Sequence, residues 1–410
     1  MIELLFSLKN NWIDQQEYLF LLIDAVLFLL FLIAVLYLFI FAAYSKKKAV
    51  YSYPKANKKH RYVILFPAYM EDDVIVDSVQ SFFKQDYPRE LYDVIVISDQ
   101  MREDTIARLE GTTAMVTQIS DPRSTKIYAL QKAIEYIEDN KLSYDMVVVL
   151  DADNVVNPHF LDKINDAFYS GCLAIQTHRV AKNRDTNTAV LDAVSEEINN
   201  SIFRKGHTRL GFSSGLSGSG MAFEYDLFKK MIQDIDEIGE DKHMERKLLL
   251  QNIYIEYLED VYTYDEKVRG KKEFYNQRRR WLATQFSNLF SGISQLPGAM
   301  LSGKWDYCDK LFQWMMPPRI LLLGFVILIA CFLTVINIFL SIKWWGLLLF
   351  IGITFSLAVP DYLVDKQFKK AIISLPILFF LMFLNLFRLI RGGSKKFIHT
   401  KHSVKYENSH

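Results

Sequence analysis

Residues 18–44 are almost uninterrupted Leu, Phe, Ile, Val and Ala, long enough to cross a bilayer hydrocarbon core of roughly 30 Å with some tilt. No other feature constrains the fold as much, because a segment in hydrocarbon must satisfy its backbone polar groups internally and is therefore a helix. Glu3, Asp14 and Glu17 precede it in place of a basic leader, and no small-residue cleavage site follows, so it reads as a retained anchor. Lys46, Lys47, Lys48, Lys55, Lys58, Lys59 and Arg61 come next, against only Lys9 before it, and the positive-inside rule puts the chain beyond the anchor in the cytoplasm. Three more apolar segments, 320–342, 344–359 and 371–390, lie near the end of the chain; the middle one is short and stops at Pro360. Counting four crossings puts the tail outside, whereas Lys395, Lys396, Lys401 and Lys405 in that tail argue for the cytoplasm.

Between the apolar segments, from Tyr62 to about Tyr264, short β-rich runs (YVILF, YDVIVIS, AMVTQI, MVVVL, LAIQT, IYIEYL) alternate with helical stretches at 72–84, 124–139 and 158–169. This alternation implies a doubly wound, mainly parallel sheet. The helix at 124–139 opens on a serine and carries Ile127, Leu130, Ala133, Ile134 and Ile137 on one face; its approach, residues 122–126, brings Arg123 and Lys126 to a helix start suited to phosphate. A net charge of +1 excludes a whole-protein nucleic-acid footprint. Cys172, Cys308 and Cys331 are far apart and in no Cys-x-x-Cys spacing, which argues against a disulfide framework or zinc site. Residues 281–297 and 305–316 have apolar residues at helical spacing and tryptophans at their edges, and read as interfacial helices along the bilayer surface.

The run Val147–Asn154, VVVLDADN, reads as a buried strand that delivers Asp151 and Asp153 at its carboxyl end, where open α/β sheets bind ligands. Two carboxylates one residue apart repel each other unless a cation intervenes, so the chemical reading is a divalent metal carrying a diphosphate; the plain reading is a polar turn. Four further features accompany them. Pro67-Ala68-Tyr69-Met70-Glu71 ends the first strand with an aromatic and an acid suited to a nucleoside, and Ser98-Asp99 ends the second. Glu240-Asp241 opens a helix, where acids are favoured electrostatically in any case, but where a carboxylate across from the metal could take a proton from a hydroxyl. Gln277-Arg278-Arg279-Arg280-Trp281 sets guanidinium forks beside an indole, suited to a diphosphate and a sugar face.

The order Pro67-Ala68-Tyr69-x-Glu71, Ser98-Asp99, Lys126, Asp151-x-Asp153, Ser217-Gly218-Ser219-Gly220-Met221, Glu240-Asp241 and Gln277-x-x-Arg280-Trp281 resembles the membrane-embedded family-2 glycosyltransferases, among them cellulose, hyaluronan, chitin and poly-N-acetylglucosamine synthases. The resemblance implies an α/β GT-A domain, a nucleotide-diphospho-sugar transferase fold, embedded between transmembrane and interfacial helices. It implies that Tyr69, Glu71, Asp99, Lys126 and Asp151 contact the nucleotide-sugar, that Asp153 holds Mg²⁺ or Mn²⁺, and that Asp241 is the catalytic base. It further implies that Gln277 and Arg280 hold the diphosphate and that Ser217, Gly218, Ser219, Gly220 and Trp281 serve the acceptor. The family's Asp-Asp-x-Ser after the second strand reads Ser98-Asp99-Gln100-Met101 here, and Glu259-Asp260 competes with Glu240-Asp241; Asp241 is preferred because it opens a helix leading into a strand.

The expected boundaries are an anchor region 1–45, a basic linker 46–61, a cytoplasmic GT-A domain 62–280, interfacial helices 281–318, membrane helices 319–391 and a basic tail 392–410. The expected activity is inverting, metal-dependent transfer from a UDP-sugar, N-acetylglucosamine favoured, to a growing polysaccharide at the inner face of the cell membrane, with processive export and accessory export or modification proteins as partners. Single transfer to a lipid-linked acceptor is the alternative. A non-catalytic nucleotide-binding membrane protein or transporter is the rival from another class, for which the spans offer only Asp24 and Asn385.

Overall fold

The computed structural model describes residues 2–48, 53–112, 114–119, 125–235 and 239–390, the side chains of 2–16 and 389–390 excepted. Pro122, Arg123 and Ser124 of the expected phosphate corner, and the basic tail, lie outside the described residues.

Eight strands form one sheet in the order β3-β2-β1-β4-β7-β6-β8-β5: β1 Tyr62–Tyr69, β2 Tyr92–Asp99, β3 Met115–Ile119, β4 Met146–Val149, β5 Val155–Val156, β6 Ala174–Ala181, β7 Met221–Glu224 and β8 Ile255–Asp265. Strands β3, β2, β1 and β4 are mutually parallel, whereas β7 runs antiparallel to both β4 and β6. The fully apolar runs in β1, β2 and β4 follow from burial on both faces. Val63, Leu65, Ile95 and Ile97 pack on one face against helices later in the chain; Ile64, Phe66, Val94 and Val96 pack on the other, as the two-residue side-chain period requires.

Around the sheet lie α2 Ile75–Phe82, α3 Glu103–Glu110, α4 Lys126–Asp139, α5 Phe160–Tyr169, α6 Asn187–Asn199, the one-turn α7 His207–Arg209, α8 Tyr225–Gln233 and α9 Glu240–Leu250, with α1 Ile2–Ser45 preceding them all. Helix α4 is capped by Thr125, whose side chain accepts from the Tyr128 N–H at 3.2 Å. A π-helical stretch, Asn200–Gly206, joins α6 to α7. There α1 comes so close that a Cβ on Gly206 would stand 2.2 Å from the Phe41 carbonyl oxygen, so only glycine fits.

The chain continues through α10 Lys271–Ile293, α11 Leu296–Leu301, α12 Trp305–Met315, α13 Arg319–Ile336, α14 Ile338–Ala358, α15 Lys366–Ala371 and α16 Leu375–Ile390. Among the described residues four helices are long and apolar enough to cross a membrane: residues 17–45, 319–336, 338–358 and 366–388. The break between the second and third falls at Asn337, which caps α14 by accepting from the Phe339 and Leu340 N–H groups, several residues before the division expected from composition. Asp24 and Asn385, singled out in the apolar segments, are held by neighbours within the fold: Asp24 pairs with Lys343 and accepts from Trp344 Nε1 at 2.8 Å, and Asn385 donates to the Tyr275 carbonyl at 2.9 Å.

The amphipathic stretch expected to start at Trp281 is the second half of a 23-residue helix, α10. Phe290, Ile293, Met300, Leu301 and Trp305 are exposed, an apolar rim suited to a bilayer surface. Its expected polar face is partly interior instead. Asn288 is buried, and Gln285 donates to the Trp314 carbonyl at 2.9 Å.

Candidate functional site

The parallel register sets Tyr69 opposite Asp99 at the carboxyl ends of β1 and β2. Both strands then turn through a left-handed residue, Met70 at φ 55° and Gln100 at φ 52°, and the Met70 N–H donates to the Asp99 carbonyl at 3.0 Å. Non-glycine residues in this conformation are uncommon and concentrate at sites where the chain must turn a side chain into a cleft. Tyr69, Glu71 and Asp99 all line one cavity.

The next strand, β4, ends in the Asp151–Asn154 turn, which is held from behind. The Asp151 N–H donates to Asn154 Oδ1 at 3.0 Å and to Ser219 Oγ at 3.2 Å, and the Ser219 hydroxyl bonds Asn154 in turn. Ser219 is fully buried, and Gly220 lies against Thr177 and Thr263, where an added Cβ would stand 2.5 Å from Thr177 Oγ1. Of the four residues the resemblance assigned to the acceptor in this loop, Ser217 and Gly218 line the cavity, whereas Ser219 and Gly220 do not and lie behind it against the Asp151 turn and Thr177.

Asp153 accepts from the Glu266 N–H at 2.6 Å and from Asn154 Nδ2 at 3.2 Å, while Lys182 donates to its carbonyl. Lys126 Nζ meets Asp151 Oδ1 at 2.5 Å, the Gly218 carbonyl at 2.6 Å and Glu240 Oε1 at 3.6 Å. Burial alone would depress the Lys126 ammonium, but Asp151 and Glu240 outweigh it and hold its pKa above the ordinary lysine value. Burial pushes the Glu240 carboxyl up; Lys126 pulls it down and the adjacent Asp241 adds to the rise. Asp151 and Asp153 offer hard oxygen donors on one turn, and no three carboxylate, imidazole or thiolate side chains among the described residues form a complete cage. That donor set fits a Mg²⁺ or Mn²⁺ ion held by one or two carboxylates, with substrate phosphates and water completing its shell.

Across the cavity, α9 opens at Gly239, itself left-handed at φ 99°. Glu240 and Asp241 both face Gly218, where a Cβ would stand 3.9 Å from Glu240 Oε1 and 4.0 Å from Asp241 Oδ2. The competing Glu259-Asp260 pair lies inside β8, and Glu259 is engaged by Arg209 at 2.6 Å and Lys205 at 2.8 Å. Helix α10 brings Gln277, Arg278, Arg280 and Trp281 to the same cavity, while Arg279 is absent from its wall. These residues sit inside the helix and not at its start. Arg278 pairs with Asp192 and lies 4.2 Å over the Trp281 ring.

Residues not singled out from sequence also reach the wall. Arg179 donates to the Ser217 carbonyl at 2.7 Å and pairs with Asp265, and Arg204 pairs with Glu196 at 2.8 Å; Lys267, which does not line the cavity, meets Asp265 at 3.0 Å and Glu196 at 3.7 Å. Asp265-Glu266-Lys267 carried the signal already used for Asp151, charges ending a β run. Glu196 carried none, since a glutamate in a mixed helix is ordinarily solvated.

The cavity is continuous, about 720 Å³, and runs from Tyr69, Asp99 and Asp153 past Asp241 and Trp281 to Leu322, Leu378 and Met382 of the membrane helices. The family model described as "Glycosyltransferase like family 2" matches residues 60–284. Among solved structures the chain is similar to the mannosyltransferase PcManGT from Pyrobaculum calidifontis in complex with GDP-Man and Mn²⁺, at 16% identity and TM-score 0.50 over 84% of this chain and 99% of that one. It is also similar to TarS 1-349 of S. aureus in complex with UDP, at 15% identity and TM-score 0.36 over 53% of this chain and 63% of that one. Glucosyl-3-phosphoglycerate synthase from Mycobacterium tuberculosis with Mn²⁺, UDP and glucosyl-3-phosphoglycerate matches at 17% identity and TM-score 0.37, over 56% and 80%. No curated protein matches the chain. The fold is the GT-A-like mixed sheet with flanking helices expected from the sequence.

Proposed function

The chain belongs to glycosyltransferase-like family 2, and from that premise we propose that it transfers a sugar from a nucleotide-diphospho-sugar to an acceptor that reaches the site from the membrane side. The observation that carries this reading is the single cavity joining the strand ends, through Asp241, to the membrane helices. Tyr69, Glu71 and Asp99 bind the nucleoside, Lys126, Gln277 and Arg280 the diphosphate, and Asp151 the donor sugar. A divalent ion held at Asp153 neutralises the diphosphate when bound; the Mn²⁺ named for the Pyrobaculum enzyme accords with it.

Asp241 takes the proton from the acceptor hydroxyl, and the oxygen forms a bond to the anomeric carbon as the bond to the diphosphate breaks on the opposite face, inverting the configuration. Glu240 is engaged by Lys126 at 3.6 Å, which leaves the adjacent Asp241 as the base. Arg280 and Lys126 stabilise the departing charge.

The resemblance to polysaccharide synthases favours a growing glycan as acceptor, with Trp281 as its stacking surface. The membrane end favours the lipid-linked alternative, because Leu322, Leu323, Leu378 and Met382 offer sugar hydroxyls no hydrogen bonds. The test is nucleotide release from a panel of UDP-sugars and GDP-mannose by detergent-purified protein with Mn²⁺ or Mg²⁺, beside Asp241→Asn and Asp153→Ala. Metal-dependent release with one donor, lost in both variants, supports the reading, and N-acetylglucosamine is the expected sugar. Retention of the anomeric configuration would exclude the displacement. Polymer against a single-sugar glycolipid, resolved by product mass, separates the two acceptors.

A further inference from the structure

Where the cavity passes from the sheet domain into the membrane helices, its wall carries Arg319, the first residue of α13. Pro317 and Pro318 fix the chain before it. Nη2 donates to Asn199 Oδ1 at 2.7 Å, to the Ser195 carbonyl at 3.1 Å and to Ser195 Oγ at 3.2 Å. All three are neutral oxygens. Nη1 is buried with no hydrogen-bond partner, and among the described residues no carboxylate lies at ion-pair distance from this guanidinium. The acid whose charge acts on it, Glu196, is committed elsewhere, to Arg204 and Lys267.

A guanidinium held this way is an incomplete arrangement. It cannot lose its proton, and a buried donor without an acceptor costs about 1–3 kcal/mol, more when charged. The side chain borders the cavity, and an anion bound there offsets its charge. Arg278, on the same wall, is paired with Asp192 but has a buried Nε that also lacks a partner, so a second side chain there keeps an unused donor. On the membrane side the wall turns apolar at once, with Leu322, Leu323, Phe355, Leu375, Leu378 and Met382. An anion with hydrocarbon attached matches both parts; a free sugar or glycan matches neither.

We propose that Arg319, assisted by Arg278, binds the phosphate group of an anionic lipid whose hydrocarbon lies between α13, α14 and α16. This deepens the reading above, on which it rests, by naming the substrate class of the membrane end: a phosphate-bearing lipid, with its head directed toward Trp281 and Asp241. The phosphate could belong to an acceptor lipid or to a bilayer phospholipid that remains bound.

Lipid retention by the full-length, detergent-purified protein tests it without reference to turnover. Native mass spectrometry would compare a polyprenyl monophosphate and phosphatidylglycerol with their uncharged counterparts, polyprenol and diacylglycerol, on wild type, Arg319→Gln and Arg319→Lys. The wild type should prefer at least one phosphate lipid over its uncharged counterpart. Arg319→Gln should lower that preference about ten- to a hundredfold, the effect of charge-assisted hydrogen bonds, and Arg319→Lys should restore part of it. Equal retention of charged and uncharged lipids by the wild type, or an unaltered preference in a folded Arg319→Gln, would overturn the site. Radiolabelled sugar appearing on polyprenyl monophosphate identifies the acceptor; retention of phosphatidylglycerol alone, without transfer, identifies a resident lipid. UDP binding, followed in the same spectra, keeps the two claims apart: its absence would count against the transferase reading and leave the lipid result standing.

Discussion

The two ends of the cavity solve opposite problems. At the strand ends charges are dense and matched: Lys126 lies between Asp151 and Glu240, Arg179 against Asp265, and Asp153 under the Glu266 N–H. At the membrane end charge is sparse, the wall is apolar, and a guanidinium nitrogen is left without an acceptor. A preorganised polar end fixes a reacting centre at low reorganisation cost. On the function proposed above, family membership speaks to that end, and the apolar end with its unmatched cation selects the acceptor.

The largest effect that would break this division belongs to Asp241. Asp241→Asn keeps the shape and removes the base, so transfer should fall by about 100- to 10,000-fold while nucleotide binding and melting temperature stay near wild type. If Glu240→Gln produced the greater loss, the roles of the two acids would be exchanged. Second in size is the wall between the ends. Burial would push the Glu196 carboxyl up, but Lys267, Arg204 and Arg179 override it and hold it well below the usual carboxylate range. Glu196→Gln leaves Arg204 and Lys267 short of an anion, which should cost about 3–5 kcal/mol of stability. With the folded pKa depressed, this stabilisation is present above the unfolded carboxylate pKa of about 4.3 and is lost as pH falls toward the folded value. Melting temperatures against pH should therefore show a flatter acid limb in the variant than in the wild type.

The polar end was the legible one. Strands buried on both faces write themselves as continuous apolar runs, and charges that interrupt such runs, as at Asp99 and Asp151, mark where the sheet stops. The order of these interruptions carried the family. What stayed hidden was whatever depends on burial that is not periodic. Helix α6 buries Asp192, Glu196 and Glu197, and nothing in its sequence distinguishes them from solvated acids. The resemblance assigned Ser219 to the acceptor, and only the fold shows that its hydroxyl ties Asp151 to Asn154. Nothing in the sequence singles out Arg319, and only its contacts with Ser195 and Asn199 of α6 show which of its nitrogens is unmatched.

A smaller effect sharpens the comparison from the membrane side. Leu323 is half-buried on the cavity wall and carries no polar atom. Leu323→Trp narrows the apolar passage, so transfer to a lipid acceptor should fall about tenfold, while donor hydrolysis by water and UDP binding are spared. Steady-state transfer measured beside hydrolysis would reveal it; parallel losses in both would mean that the ends are not separable.

The smallest expected effect tests how the polar end is held. Thr125 caps α4 through the Tyr128 N–H and is followed directly by Lys126, the residue that joins Asp151, Gly218 and Glu240. Thr125→Ala removes the cap and should cost about 1 kcal/mol, a shift of roughly 2–4 °C in melting temperature for a domain of this size. If the cap only stabilises the helix, the rate per folded molecule stays unchanged. If it also fixes Lys126, KM for the donor rises with no matching change in lipid retention, because the displaced ammonium is the one proposed for the diphosphate and lies at the strand ends. A change in lipid retention as well would show that a shift at the strand ends is transmitted along the cavity, and the two ends would then have to be treated as one site.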